Sequence, residues 1–227
     1  MMDDKSEHYV DAGLALVQLG RWIQRTYPKV DNEGSQHEED KILAKLLPGD
    51  GIYVDIGASD PKECSNTWAL YKLGWRGLLI EPLPDCWPSL MLHRPEDYLA
   101  PVASSDQDGF ATLHRCRSVS SLNPEWRDDN DGTIPVMTER LSTTLKRYGA
   151  VDWTQTRLCS LDVEGWEKQV LLGIDWATFR PEVFVVEWAG QDGQDLSAEW
   201  LPILMANGYQ EVHRNRLNLI LKCNDWL

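Results

Sequence analysis

The chain has 227 residues, with 22 Lys and Arg against 36 Asp and Glu, a formal net charge of −14. That balance repels a phosphate backbone and no basic cluster offsets it, which argues against nucleic acid as a partner. Five scattered cysteines, none in a CxxC pair, give neither a zinc ribbon nor a disulfide framework and point to a reduced, cytoplasmic setting.

The opening MMDDKSEHYV lacks the basic-then-apolar layout of an export signal. No apolar run approaches the ~20 residues of a membrane span. Residues 8–25 carry Val10, Leu14 and Val17 on one stripe with Leu16, Leu19 and Ile23 beside it, which predicts a helix ended by Pro28. That stripe suits a subunit contact, and so a homo-oligomer, as well as the chain's own core. The polar KVDNEGSQHEED reads as a linker, dividing a helical extension over 1–34 from a main domain over 35–227. EEDKILAKLLPGD predicts a short helix with acidic residues in its first turn, stopped by Pro48 and Gly49.

From there strand and helix signals alternate. IYVDIG is a strand, SNTWALYKLGW a helix with Ser65 as candidate N-cap, GLLI a strand and PDCWPSLMLH a proline-marked helix. YLAPVASS predicts a third strand, and DQDG a hairpin turn into FATLHRC. Residues 117–134 read as a long irregular loop of the kind that usually carries function. A helix near 140–148, the strand RLCSLDVEG, a helix over Trp166–Leu172, the strand EVFVVEW, a helix near 197–206 and two closing strands complete the pattern. Such alternation predicts a parallel α/β sheet with helices on both faces.

Two strands end in carboxylates, Asp55 with Gly57 two residues on, and Glu81 in the next strand. In doubly wound sheets ligands bind beyond the carboxyl ends of the strands. A carboxylate there can accept both hydrogen bonds of a ribose diol, each contributing about 1.5–3 kcal/mol. The turn GASDPKE has one glycine and is acidic, so it does not fit the G-x-G-x-x-G cradle of a pyrophosphate. It suits a cationic cofactor without phosphate, such as S-adenosyl-L-methionine. The plainer alternative is that Asp55 caps a turn and Glu81 is a solvated strand end.

SQHEEDKIL, YVDIGASDPKECSNTWALYKLGWRGLLIEP, SLDVEGWEKQVLLGID and VFVVE, in that order over residues 35–187, resemble the FkbM family of S-adenosylmethionine-dependent methyltransferases. Pro61, where many members carry glycine, and Trp166, at a position that is often small, are departures that bear on pocket shape. The resemblance implies a Rossmann-like class I methyltransferase fold, a seven-stranded, mostly parallel sheet with its last strand antiparallel. It also implies O-methylation of a hydroxyl on a sugar, glycan or natural product. It places Asp55, Gly57 and Ala58 at the methionine end of the cofactor, Glu81 at the ribose, and Ser104, Ser105 and Asp106 by the adenine, with Pro82 a further cofactor contact. Gln36, Ser65, Asn66 and Thr67 fall on further motif positions and are candidate cofactor contacts.

LDVEG sets Asp162 and Glu164 two apart at a strand end, and Glu187 ends the next strand. Adjacent strands lie ~5 Å apart, so these carboxylates can converge. Either one of them is protonated or a cation sits among them. Asp162, Glu164 and Glu187 are therefore the candidate catalytic group, with Asp162 and Glu187 candidate ligands for Mg2+ or another divalent cation. The plainer alternative gives Glu164 and Glu167 to helix capping. Trp126 and Trp166 are candidate acceptor contacts; the lone His114 and His213 carry little signal. A nucleobase methyltransferase and a non-catalytic partner subunit remain alternatives, although DVEG is not the DPPY-like turn of the former.

Overall fold

The computed structural model describes residues 33–116, 119–126, 131–190 and 193–226. The helix expected over 8–25 lies outside them. In chain order the elements are α1 (Glu39–Leu46), β1 (Ile52–Ile56), α2 (Trp68–Lys72), β2 (Arg76–Ile80), α3 (Trp87–His93), β3 (Tyr98–Ala100), β4 (Ala103–Ser104), β5 (Gly109–His114) and β6 (Thr133–Glu139). They continue through α4 (Leu141–Arg147), β7 (Thr156–Leu161), α5 (Glu167–Leu172), β8 (Val183–Glu187), α6 (Ser197–Ala206), β9 (Tyr209–Arg214) and β10 (Asn218–Cys223).

Seven strands form one sheet in the order β3-β2-β1-β7-β8-β10-β9. β10 runs antiparallel to both neighbours and the other pairings are parallel. Alternation along each strand sorts the core onto two faces. Val54, Ile56, Leu78, Ile80, Cys159, Leu161, Phe184 and Val186 pack with α4, α5 and α6 through Leu141, Leu145, Val170, Leu171, Trp200 and Leu204. Tyr53, Leu79, Leu158, Val183 and Val185 pack on the other face with α1, α2 and α3 through Leu43, Leu70 and Leu90. Helices thus cover both faces, as the alternation predicts.

The expected third strand and hairpin take a different form. The Val102 amide bonds the Ala100 carbonyl, a tight turn around Pro101 that ends β3. Ala103–Ser104 then joins a second, three-stranded sheet, β4-β6-β5. β5 pairs with β6 across the long loop, from Gly109 opposite Thr138 to His114 opposite Thr133, and not with the strand before DQDG. β6 carries no strand signal because Pro135 interrupts it. At Pro135 only β5 is alongside, since β4 reaches only Thr138 and Glu139, so a missing N–H is tolerated. Among the described residues no helix is long and apolar enough to cross a membrane.

Candidate active site

The chain order reverses between β1 and β7, which pair in parallel from Ile52 opposite Thr156 to Ile56 opposite Leu161. The crevice beyond this switch point is where such sheets bind ligands. Gly57 turns there with φ 85. A Cβ on it would stand 1.7 Å from the Asp162 carbonyl oxygen, so glycine is demanded by the neighbouring strand end and not by a ligand. The Gly57 and Ala58 amides donate to the Ile80 carbonyl at 2.9 and 3.2 Å, which ties the turn to β2.

Two adjoining cavities open from this turn, and Gly57, Ser59, Asp162 and Glu164 line both. The first is walled by Glu81, Pro82, Ser104, Val102, Leu113, Ser121 and Trp166. The second is walled by Gln36, Asp55, Ala58, Cys64, Ser65, Asn66 and Ser160. Three of the four described non-glycine residues with left-handed φ, Ser59, Cys64 and Glu164, stand in these walls. Such backbone costs ~1–3 kcal/mol each and concentrates at functional sites.

Glu81 is only 5 % exposed. Its two oxygens accept the Ser59 amide at 2.8 Å and the Leu83 amide at 2.7 Å. Burial nonetheless pushes its carboxyl up to about 7, against those two bonds, with Asp55 and Asp162 adding to the rise. Each oxygen keeps a second lone pair for a ligand. Asp55 is equally buried and is raised by that burial, which bonds from Thr67 and Ser160 and the charge of Arg94 oppose. Asn66 Nδ2 donates to Ser160 Oγ at 3.2 Å.

Register carries the remaining carboxylates to the same place. Leu161 stands opposite Val186, so Asp162 and Glu187 are next along adjacent strands. One oxygen from each of Asp162, Glu164 and Glu187 lies within 4.8 Å of the others. Asp162 and Glu187 are hydrogen-bonded to each other. Burial lifts both; Glu187 is lifted further by the charges of Asp162, Glu164 and Glu167, so the pair holds one shared proton. Glu164 accepts the Trp126 indole N–H at 2.8 Å, and its carbonyl accepts the Ser121 hydroxyl at 2.7 Å. Capping of the turn falls to Glu167, whose Oε1 accepts the Val163 and Gly165 amides, both at 3.2 Å. The N-cap of α2 is Thr67 and not Ser65 as expected; Ser65, two residues earlier, lines the second cavity and its Oγ accepts the Trp68 amide.

Among the described residues three buried side-chain polar atoms lack a partner: Ser104 Oγ, Asp162 Oδ1 and Trp200 Nε1. The first two belong to residues in the cavity walls. Four candidates line neither cavity. Thr67 is fully enclosed and donates to Asp55, Ser105 accepts the Trp166 indole N–H and donates to Asp106, and Glu187 is hydrogen-bonded to Asp162. His213 lies on the outermost strand. The sequence reading missed Ser59, Ser121, Leu113 and Ser160. Period-two spacing before Asp162 signals Ser160; nothing local signals Leu113 or Ser121, which arrive through the second sheet.

Seven strands in this order, with β10 alone reversed, are the Rossmann-like class I methyltransferase fold. The chain belongs to the FkbM methyltransferase family, whose domain model, described as Methyltransferase FkbM domain, matches residues 55–211. No curated protein matches the chain. Among solved structures it is similar to a Burkholderia thailandensis 1,6-didemethyltoxoflavin-N1-methyltransferase with bound 1,6-didemethyltoxoflavin and S-adenosylhomocysteine, at 15% identity, covering 94% of this chain and 90% of that one with TM-score 0.45. A TehB-like SAM-dependent methyltransferase from Corynebacterium glutamicum is similar at 11% identity, 94% and 99% coverage and TM-score 0.45. A precorrin-6y C5,15-methyltransferase from Geobacter metallireducens follows at 12% identity, 80% and 86% coverage and TM-score 0.42.

Proposed function

We propose that this methyltransferase uses S-adenosylmethionine to methylate a hydroxyl of a sugar, glycan or natural product. The observation that carries the cofactor assignment is the partnerless buried Ser104 Oγ, in the wall of one of two adjoining cavities whose acidic walls suit a cation. Glu81 takes the ribose diol, Ser104 the adenine end, and Asp55, Gly57 and Ala58 the methionine end. Gln36, Ser65 and Asn66 line that second cavity and serve the same end. When bound, the cofactor supplies an electrophilic methyl group on a sulfonium centre.

O-methylation is favoured by the proton-sharing carboxyl pair. An alcohol is a poor nucleophile until its proton leaves. Asp162 accepts that proton, while the protonated Glu187 hydrogen-bonded to it holds the Asp162 carboxylate in place. A positioned base contributes ~10²–10⁴-fold. Glu164, pinned by Trp126, borders the same space and orients the acceptor.

A second reading places a divalent cation on Asp162, Glu164 and Glu187, and rests on the 4.8 Å convergence of their oxygens. Such a cation would ionise Glu187 and acidify the alcohol. The test is Asp162→Asn, assayed with an alcohol-bearing glycan or natural-product extract for S-adenosylhomocysteine release. Turnover should fall by at least ~10²-fold with S-adenosylhomocysteine affinity and Tm nearly unchanged. Activity that persists alongside a fallen Tm makes the residue structural. Loss on chelation with recovery on added magnesium selects the cation; indifference selects the carboxyl pair.

A further inference from the structure

Arg94, which follows α3, is 2 % exposed, a charged residue deep inside an acidic chain. Burying a cation is costly unless it is paired and hydrogen-bonded. Its Nε donates to Asp97 Oδ2 at 2.8 Å, Nη1 to the Pro61 carbonyl at 3.2 Å, and Nη2 to the Tyr53 hydroxyl at 2.6 Å and the Thr67 hydroxyl at 3.1 Å. Asp97 is held in turn by the Tyr53 hydroxyl at 2.6 Å and the Gly77 amide at 2.8 Å. The rings of Tyr53, Trp68 and Tyr71 surround the guanidinium at 5.4, 5.9 and 4.7 Å. Every side of the fork is occupied.

One of these partners points onward to the site. A threonine hydroxyl has a single proton to give. Arg94 occupies a Thr67 lone pair, and Thr67 Oγ1 gives its proton to Asp55 Oδ2 at 2.5 Å. A second relay reaches Asp55 from the other strand, with Asn66 donating to Ser160 and Ser160 bonding Asp55. Asp55 lines the second cavity, so the carboxylate presented there is held by two hydroxyls, Thr67 behind the wall and Ser160 within it.

We infer that Arg94 and Thr67 are positioning residues that orient Asp55 as an ionised acceptor for the ammonium group of the cofactor's methionine end. Neither touches the cofactor: Thr67 is fully enclosed and Arg94 lies one hydrogen bond further back. Without them the Asp55 carboxylate, in a wall shared with other acids, loses both its orienting donor and its compensating cation. The assignment rests on the cofactor reading above.

Two ligands test it by calorimetry: S-adenosylhomocysteine, which carries the ammonium group, and 5′-methylthioadenosine, which lacks it. Thr67→Val keeps the shape and removes the hydroxyl. It should weaken S-adenosylhomocysteine by at least ~tenfold, as expected for a lost charged hydrogen bond, while methylthioadenosine binds as to the wild type. Thr67→Ser should restore affinity. Arg94→Lys keeps the charge without the fork that spans Thr67 and Asp97, and should show the same selective loss. Turnover assays should show KM for S-adenosylmethionine rising with kcat little changed. Unaltered S-adenosylhomocysteine affinity in both variants, or equal loss of both ligands, overturns the assignment. Wild-type protein that binds neither ligand removes the cofactor reading and this inference with it.

Discussion

Cofactor affinity should depend on pH through Glu81. In the free protein burial holds this carboxyl at about 7, well above its ordinary 4.5. A ribose diol donates two hydrogen bonds and needs the ionised form, so binding draws the pKa down and releases a proton. Affinity is therefore lost below about 7, rises as pH passes through that value, and levels off above it. About nine tenths of Glu81 is ionised at pH 8 and about one tenth at pH 6, so S-adenosylhomocysteine should bind about tenfold more weakly at pH 6. Calorimetry at the two pH values measures this, and buffers of different ionisation enthalpy reveal the released proton. Glu81→Gln should bind weakly at both values with this step gone. An affinity that is flat from pH 6 to 8 in the wild type would refute the assignment of Glu81 to the diol.

Gly57→Ala places a Cβ against the Asp162 carbonyl at a left-handed φ; a loss of about 3–5 kcal/mol, and so a Tm about 10 °C lower or worse, is expected by scanning calorimetry. Ser104→Ala removes a partnerless buried hydroxyl, so Tm should hold or rise while S-adenosylhomocysteine affinity falls a few-fold; unchanged affinity removes Ser104 from the adenine end. Glu167 sits at about 7 in the fold against 4.5 ordinarily. Because its folded pKa is raised, its destabilising effect is absent below 4.5, grows as pH rises from 4.5 to 7, and reaches about 3 kcal/mol above that window. Glu167→Gln keeps an acceptor for the turn amides, and denaturant unfolding at pH 5 and 8 should show a smaller loss of stability at pH 8 than in the wild type.

The half of the fold that builds the main sheet was legible because its information is local. IYVDI, RGLLI and VFVVE are apolar runs bounded by turn residues, and period two then fixes which side each carboxylate faces. Tyr53 and Asp55, Leu79 and Glu81, Leu158 and Asp162, and Val183 and Glu187 share a parity, so the four acids leave the sheet on the α1–α3 face. The second sheet was not legible. Whether FATLH pairs with the strand before DQDG or with TIPVMTE beyond the loop is a choice between distant partners, and Pro135 hides the second of them. Arg94 was invisible for a related reason: its partners Tyr53, Thr67 and Asp97 come from three separate segments, and an arginine after a helix ordinarily faces water.

The β5–β6 pairing has a consequence for how the protein can change over time. His114 and Thr133 are paired partners, so the chain that leaves β5 returns to its starting point before β6 begins. Insertions between them lengthen a loop that is already closed, and each doubling of loop length costs only about 0.6 kcal/mol. Ser121 and Trp126, which hold the Glu164 turn, lie on that excursion, whereas Asp55, Glu81 and Asp162 sit on the ends of packed strands. Lineages descended from such a chain can redraw the outer wall of the site by lengthening, shortening or recoding one segment. The strand ends beneath it are bound by register to a core where a single added methyl group, at Gly57, is already too much.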